Sequence, residues 1–133
     1  MKFVSFLQKS QAKFGISDGK NITDLTGKIN GANTLKELIS NKGIEEAKQY
    51  AKKNPGDISL DKIEYLPVIP NPGKIICVGL NYSEHVKETG RTVEQNPVIF
   101  FRVPESQTAH KQPIQKPKVS ESLDYECEMA VIM

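Results

Sequence analysis

At 133 residues, with 38% hydrophobic and 26% charged side chains, the chain has the length and composition of one small globular domain with a modest core. Lys+Arg 18 against Asp+Glu 16 leaves a formal charge of +2, and no basic run carries interleaved aromatics, which argues against a nucleic-acid partner. No stretch approaches membrane-spanning length and residues 1–7 are too short for a secretory leader, so neither membrane insertion nor export is expected. Cys77 and Cys127 both lie in apolar runs without metal-type spacing. They read as reduced thiols of a cytoplasmic protein, with a disulfide left open.

Taken in order, residues 2–7 alternate as a first strand and residues 12–16 as a second. Ser17-Asp18-Gly19-Lys20 is a hairpin turn built on Asp-Gly, and residues 21–25 form the return strand. A helix starts near residue 34 with Asn33 or Thr34 as its cap, is interrupted at Gly43, and resumes over residues 44–53 until Asn54-Pro55-Gly56 stops it. Residues 63–69 are extended, and Pro67, Pro70 and Pro72 mark a linker. The expected division is a small α/β subdomain over residues 1–70 and a second part over residues 71–133.

The second part opens on Lys74-Ile75-Ile76-Cys77-Val78-Gly79, a run suited to a strand buried on both faces. A short helix follows, with Asn81 as cap, Glu84 completing a capping-box-like pattern and Gly90 just past its end. His85 and Glu88 are i, i+3 neighbours on one face of that helix. A carboxylate beside an imidazole fixes its tautomer and raises its basicity, as a general base requires, although the same pair also suits an ordinary exposed helix. Residues 97–101 form a strand that delivers Arg102 to its end. There a guanidinium either clamps a substrate carboxylate bidentately or stands as a solvated cation. His110 reads as a loop histidine rather than a ligand.

The last eleven residues, Leu123-Asp124-Tyr125-Glu126-Cys127-Glu128-Met129-Ala130-Val131-Ile132-Met133, have strand-like alternation. On a strand Asp124, Glu126 and Glu128 share one face, and Glu126 and Glu128 leave Cα atoms about 6.6 Å apart, twice the strand rise. Two carboxylates so close repel unless a cation, a proton or water screens them. A hard ion such as Mg²⁺ or Mn²⁺ is one solution; an acidic face turned to solvent is the other. Because the chain stops within an apolar run, it is expected to be the N-terminal part of a longer protein.

Four segments in order resemble the fumarylacetoacetate hydrolase family. They are residues 74–82 with His85 and Glu88 (Gly-x-Asn-Tyr-x-x-His-x-x-Glu), residues 97–102, the loop at 106–113, and Asp124-Tyr125-Glu126-Cys127-Glu128. Residues 1–25 are also similar to the small N-terminal region of many members. The resemblance implies an α+β chain in which the small α/β subdomain precedes the beginning of a mixed β-roll, here truncated. It implies Glu126 and Glu128 as ligands of Mg²⁺ (or Mn²⁺ or Ca²⁺), with a later aspartate completing the set, and His85 and Glu88 as a catalytic dyad on a lid. Arg102 matches a basic residue near the substrate, and Ser106 a recurring loop serine. The implied activity is divalent-metal-dependent hydrolysis of a C–C bond in an acylpyruvate- or fumarylacetoacetate-like 1,3-dicarbonyl. The metal would act as Lewis acid and His85, oriented by Glu88, would activate water. Isomerisation or decarboxylation of 2-oxo diacids on the same scaffold is the alternative, and a non-enzymatic truncated product the third reading. The expected partners are a small oxo-acid substrate and, at full length, a second copy in a homodimer. The chain by itself is expected to bind metal weakly and to be inactive.

Overall fold

The computed structural model describes residues 1–88, 90 and 96–133, the side chain of His85 excepted. The chain divides into two compact units, Met1–Ile69 with Thr108–Met133, and Pro70–Gln107. Secondary structure is of both kinds, and every strand pairing among the described residues is antiparallel.

The first unit is a five-stranded sheet carrying two helices. Strands β1 (Lys2–Gln8), β2 (Gln11–Ser17) and β3 (Asn21–Asp24) form a meander, extended at its edges by two-residue strands β4 (Ile58–Ser59) and β5 (Glu64–Tyr65) in the order β4-β3-β2-β1-β5. The β1–β2 turn is Lys9-Ser10, both at left-handed φ (50° and 62°), which suits the right-handed strand twist. At the β2–β3 turn the Asp18 carboxylate accepts the backbone N–H groups of Lys20 and Asn21, each at 2.8 Å. Those bonds hold its pKa below the ordinary value although the group is exposed.

Helices α1 (Leu35–Ser40) and α2 (Ile44–Lys53) bury Leu35, Leu38, Ala47 and Ala51 against Phe14, Ile16, Leu25 and Ile29. Thr34 caps α1: its hydroxyl accepts the Glu37 N–H at 3.1 Å, while the Glu37 carboxylate accepts the Asn33 N–H at 2.7 Å. The first bond is the hydroxyl half of a capping box, while the carboxylate reaches one residue past the cap. Between the helices Lys42 takes φ 55° and the Gly43 N–H closes on the Leu38 carbonyl at 2.9 Å. A Cβ at Gly43 would lie 2.8 Å from Leu38 Cδ1, so the break expected there has a steric as well as a conformational basis.

Residues 108–112 pack along β5. Gln112 Nε2 donates to Glu64 Oε1 (3.2 Å) and to the Tyr65 carbonyl (3.4 Å), His110 meets the Tyr65 ring edge-on at 4.9 Å, and Ala109 is buried. From Asp124 to Met133 no strand forms. This corrects the expected terminal strand: a strand is held by ladder bonds to a neighbour, and no described strand pairs with this segment. Tyr125, Met129 and Val131 accordingly stand exposed.

The second unit is a two-stranded ribbon, β6 (Ile75–Gly79) against β7 (Val98–Arg102), with helix α3 (Ser83–Glu88) and a 3₁₀ turn at Pro104–Ser106. The expectation that β6 is buried on both faces is also corrected. Ile76 and Val78 are exposed while Ile75, Cys77 and Gly79 are half-buried, the alternation of a strand covered on one side only.

Candidate functional site

Helix α3 carries the expected dyad on its backbone. Its first carbonyl acceptor is that of Tyr82, which takes the Val86 N–H at 3.1 Å, so the cap is Tyr82 rather than Asn81. Gly90, at φ +66°, donates its N–H to the Lys87 carbonyl at 3.0 Å and ends the helix in the left-handed conformation expected of it. His85 and Glu88 lie three residues apart on this helix. Glu88 is exposed; the side chain of His85 is outside the described residues. Val86 is buried and anchors the helix, whereas Glu84 and Lys87 form an exposed ion pair at 2.8 Å that contributes little.

Arg102 and Ser106 are brought together by the turn that follows β7. Pro104, at the start of the 3₁₀ turn, has the φ the turn requires. The Ser106 hydroxyl donates to the Val103 carbonyl at 2.7 Å and accepts a long bond, 3.4 Å, from Arg102 Nε–H. The turn therefore fixes the hydroxyl, and the hydroxyl takes the one guanidinium N–H nearest the backbone. Carboxylate recognition by arginine uses parallel N–H pairs, and the outer edge of the guanidinium keeps such a pair.

Glu126 and Glu128 sit two residues apart in the irregular last segment, both exposed. Neighbouring Asp124 turns one carboxylate oxygen onto the Tyr125 N–H at 2.8 Å. Carboxylate oxygens are the donors a hard divalent ion prefers, so the chemistry of the pair fits Mg²⁺, Mn²⁺ or Ca²⁺. Two carboxylates fall short of the six or more oxygens such ions take, and among the described residues no group of three His, Cys, Asp or Glu gathers. By itself the pair does not complete such a donor set.

Sequence reasoning did not find the hollow beside β1 and β5, a cavity of about 260 Å³ bordered by Phe3, Ser5, Tyr65, Val68 and His110. One of its hydroxyls is already used, Ser5 Oγ donating to the Val68 carbonyl at 2.8 Å. No motif signals a hollow formed by residues this far apart in the chain.

The family profile described as fumarylacetoacetate (FAA) hydrolase C-terminal matches residues 74–133. The chain is similar to an oxaloacetate tautomerase, mitochondrial, from Xenopus laevis, 31% identical over 89% of this chain and 38% of that protein. It is similar to a 2,4-didehydro-3-deoxy-L-rhamnonate hydrolase from a Sphingomonas species, 32% identical over 100% of this chain and 44% of that protein. It is also similar to the oxaloacetate tautomerase YisK of Bacillus subtilis, 34% identical over 69% of this chain and 35% of that protein. The chain therefore spans less than half the length of these relatives.

Proposed function

Because the chain belongs to the fumarylacetoacetate hydrolase family, we propose that it contributes to an enzyme acting on 2-oxo acids through their enolate forms, with hydrolysis of a C–C bond in an acylpyruvate-like 1,3-dicarbonyl as the first reading. The observation that carries the reading is that His85, Glu88, Arg102, Ser106, Glu126 and Glu128 all fall within the matched residues 74–133.

In this proposal Glu126 and Glu128 hold a divalent ion, Mg²⁺ or else Mn²⁺ or Ca²⁺, jointly with donors beyond this pair. When bound, the ion supplies Lewis-acid polarisation of a carbonyl. Glu88, one helical turn from His85, orients the imidazole, and the imidazole takes a proton from water at its free nitrogen and returns it to the leaving carbon. Arg102, held at its Nε by Ser106, pairs with the substrate carboxylate and fixes which carbonyl faces the dyad. A homodimer and a cytoplasmic setting belong to the same proposal.

A second reading, keto–enol isomerisation of oxaloacetate, has its own support in the names of the Xenopus and Bacillus relatives. Tautomerisation needs only the proton transfers; hydrolysis also needs a water attack. The test is product analysis of the purified full-length protein with Mg²⁺, offered acylpyruvate and enol-oxaloacetate separately. Release of a carboxylic acid and pyruvate supports the hydrolase, and accelerated ketonisation without cleavage supports the isomerase. Neither reaction above the Mg²⁺-only rate counts against both.

A further inference from the structure

We propose that the turn Ile29-Asn30-Gly31-Ala32 is a site of spontaneous covalent modification, at which Asn30 deamidates and the new carboxylate loosens the packing of α2 on the turn. The chain contains one Asn-Gly pair, and it lies here. Glycine leaves the following amide nitrogen unshielded by any side chain, which is what an attack on the asparagine carboxamide requires. Asn30 and Gly31 are both exposed, at left-handed φ of 48° and 68°. The turn is closed by Ala32 N–H donating to the Ile29 carbonyl at 2.9 Å, and no described turn or loop bond uses the Gly31 N–H.

The chemistry is balanced without oxidant or cofactor. The Gly31 amide nitrogen bonds to Asn30 Cγ, the Cγ–Nδ2 bond breaks, and the nitrogen leaves as ammonia carrying the proton lost by the amide. Water then opens the five-membered imide: attack at the side-chain carbonyl restores the ordinary peptide bond and gives aspartate, and attack at the main-chain carbonyl leaves the chain running through Cγ and gives isoaspartate.

Asn30 is singled out by its surroundings. Its Nδ2 donates to Glu46 Oε2 of α2 at 3.1 Å. Deamidation replaces that donor with an anion facing another anion, so an attraction becomes a repulsion. The flanking residues Ile29 and Ala32 are each 1% exposed and belong to the core under α1 and α2. An isoaspartate lengthens the backbone by one carbon between two residues that packing fixes in place. The comparable exposed pair Asp18-Gly19 is differently built. The Asp18 carboxylate accepts two backbone N–H groups that hold it ionised and occupied, and an ionised carboxylate is a poor target for the same attack.

The experiment is incubation of the purified chain at 37 °C and mildly alkaline pH, with peptide mass mapping over time. The expected result is a gain of about one dalton at residue 30, accumulating several-fold faster than at any other asparagine. A stability series separates the chemistry from its consequence. Asn30→Asp, the direct product, is expected to lower Tm by a few degrees, and Asn30→Asp with Glu46→Gln to recover most of that loss. No preferential mass gain at residue 30 overturns the modification site. An Asn30→Asp protein as stable as the parent, or no recovery on removing the Glu46 charge, overturns the coupling to α2.

Discussion

Lys13 Nζ and Asp24 Oδ2 meet at 3.0 Å across β2 and β3, on the sheet face that also carries Ile22 and Phe6. Asp24 is an instance of opposed forces. Burial alone pushes its pKa up, but the Thr26 backbone N–H (2.9 Å), the Thr26 hydroxyl and the Lys13 ammonium outweigh it and hold the carboxyl below its ordinary 3.8. A group depressed in this way stabilises the folded state above 3.8, and the contribution disappears as pH falls through its lower folded value. Asp24→Asn should therefore cost about 1 kcal/mol at neutral pH and nothing once the parent carboxyl is protonated. Urea melts of both proteins at pH 7 and along a descending acid series check this; a loss that stays equal at every pH would assign the effect to packing.

Gly15 has no room for a side chain. A Cβ there would run into the Thr23 carbonyl oxygen and Ile22 Cγ2 on the neighbouring strand. Gly15→Ala should cost about 1–3 kcal/mol, the range for overpacking a well-filled interior, read as a lower urea midpoint at unchanged slope.

Thr34→Ala removes the hydroxyl that receives the Glu37 N–H and so the side-chain cap of α1. The expected loss is about 1 kcal/mol. Thr34→Ser should retain nearly all of it, which thermal melts of the two variants compare directly.

For the proposed reaction, Arg102→Lys keeps the charge and loses the paired N–H geometry. Its KM for a 2-oxo acid should rise by about tenfold or more, the worth of a charge-assisted hydrogen bond, with kcat less affected. Steady-state kinetics on whichever substrate turns over provide the measurement.

Glu126→Gln and Glu128→Gln each remove one anionic donor from the proposed metal site. Each should weaken Mn²⁺ binding by at least about tenfold, since even residues that only support metal ligands have effects of that size. Titration calorimetry or Mn²⁺ paramagnetic relaxation measures it, and unchanged affinity in both variants would return the acidic pair to a solvent-facing role.

Legibility in the sequence followed how local each cause was. The Asp18-Gly19 turn, the Thr34 cap, the break at Gly43 and the stop at Asn54 are each decided within a few residues, and each was readable. The Lys9-Ser10 turn was not, because neither residue is one that ordinarily takes positive φ; the pairing of β1 with β2 along its whole length imposes it. The segment at 123–133 has the alternation of a strand, yet alternation specifies only which side chains would share a face. Whether a ladder forms depends on a partner elsewhere. For the same reason the association of Arg102 with Ser106 could be read as two candidate residues but not as one hydrogen-bonded unit, which required the Pro104–Ser106 turn.

The β6–β7 ribbon leaves Ile76, Val98, Ile99, Phe100 and Phe101 in contact with water. A lone pair of strands has few buried side chains to resist opening, and its amides should trade protons with solvent within the fraying regime rather than at the global unfolding rate. Deuterium uptake would then divide the strands into slow amides in the β1–β2–β3 meander and fast ones in Ile75–Gly79 and Val98–Arg102, so that the unit bearing most of the proposed chemistry also has the strands with the least grip on their own backbone.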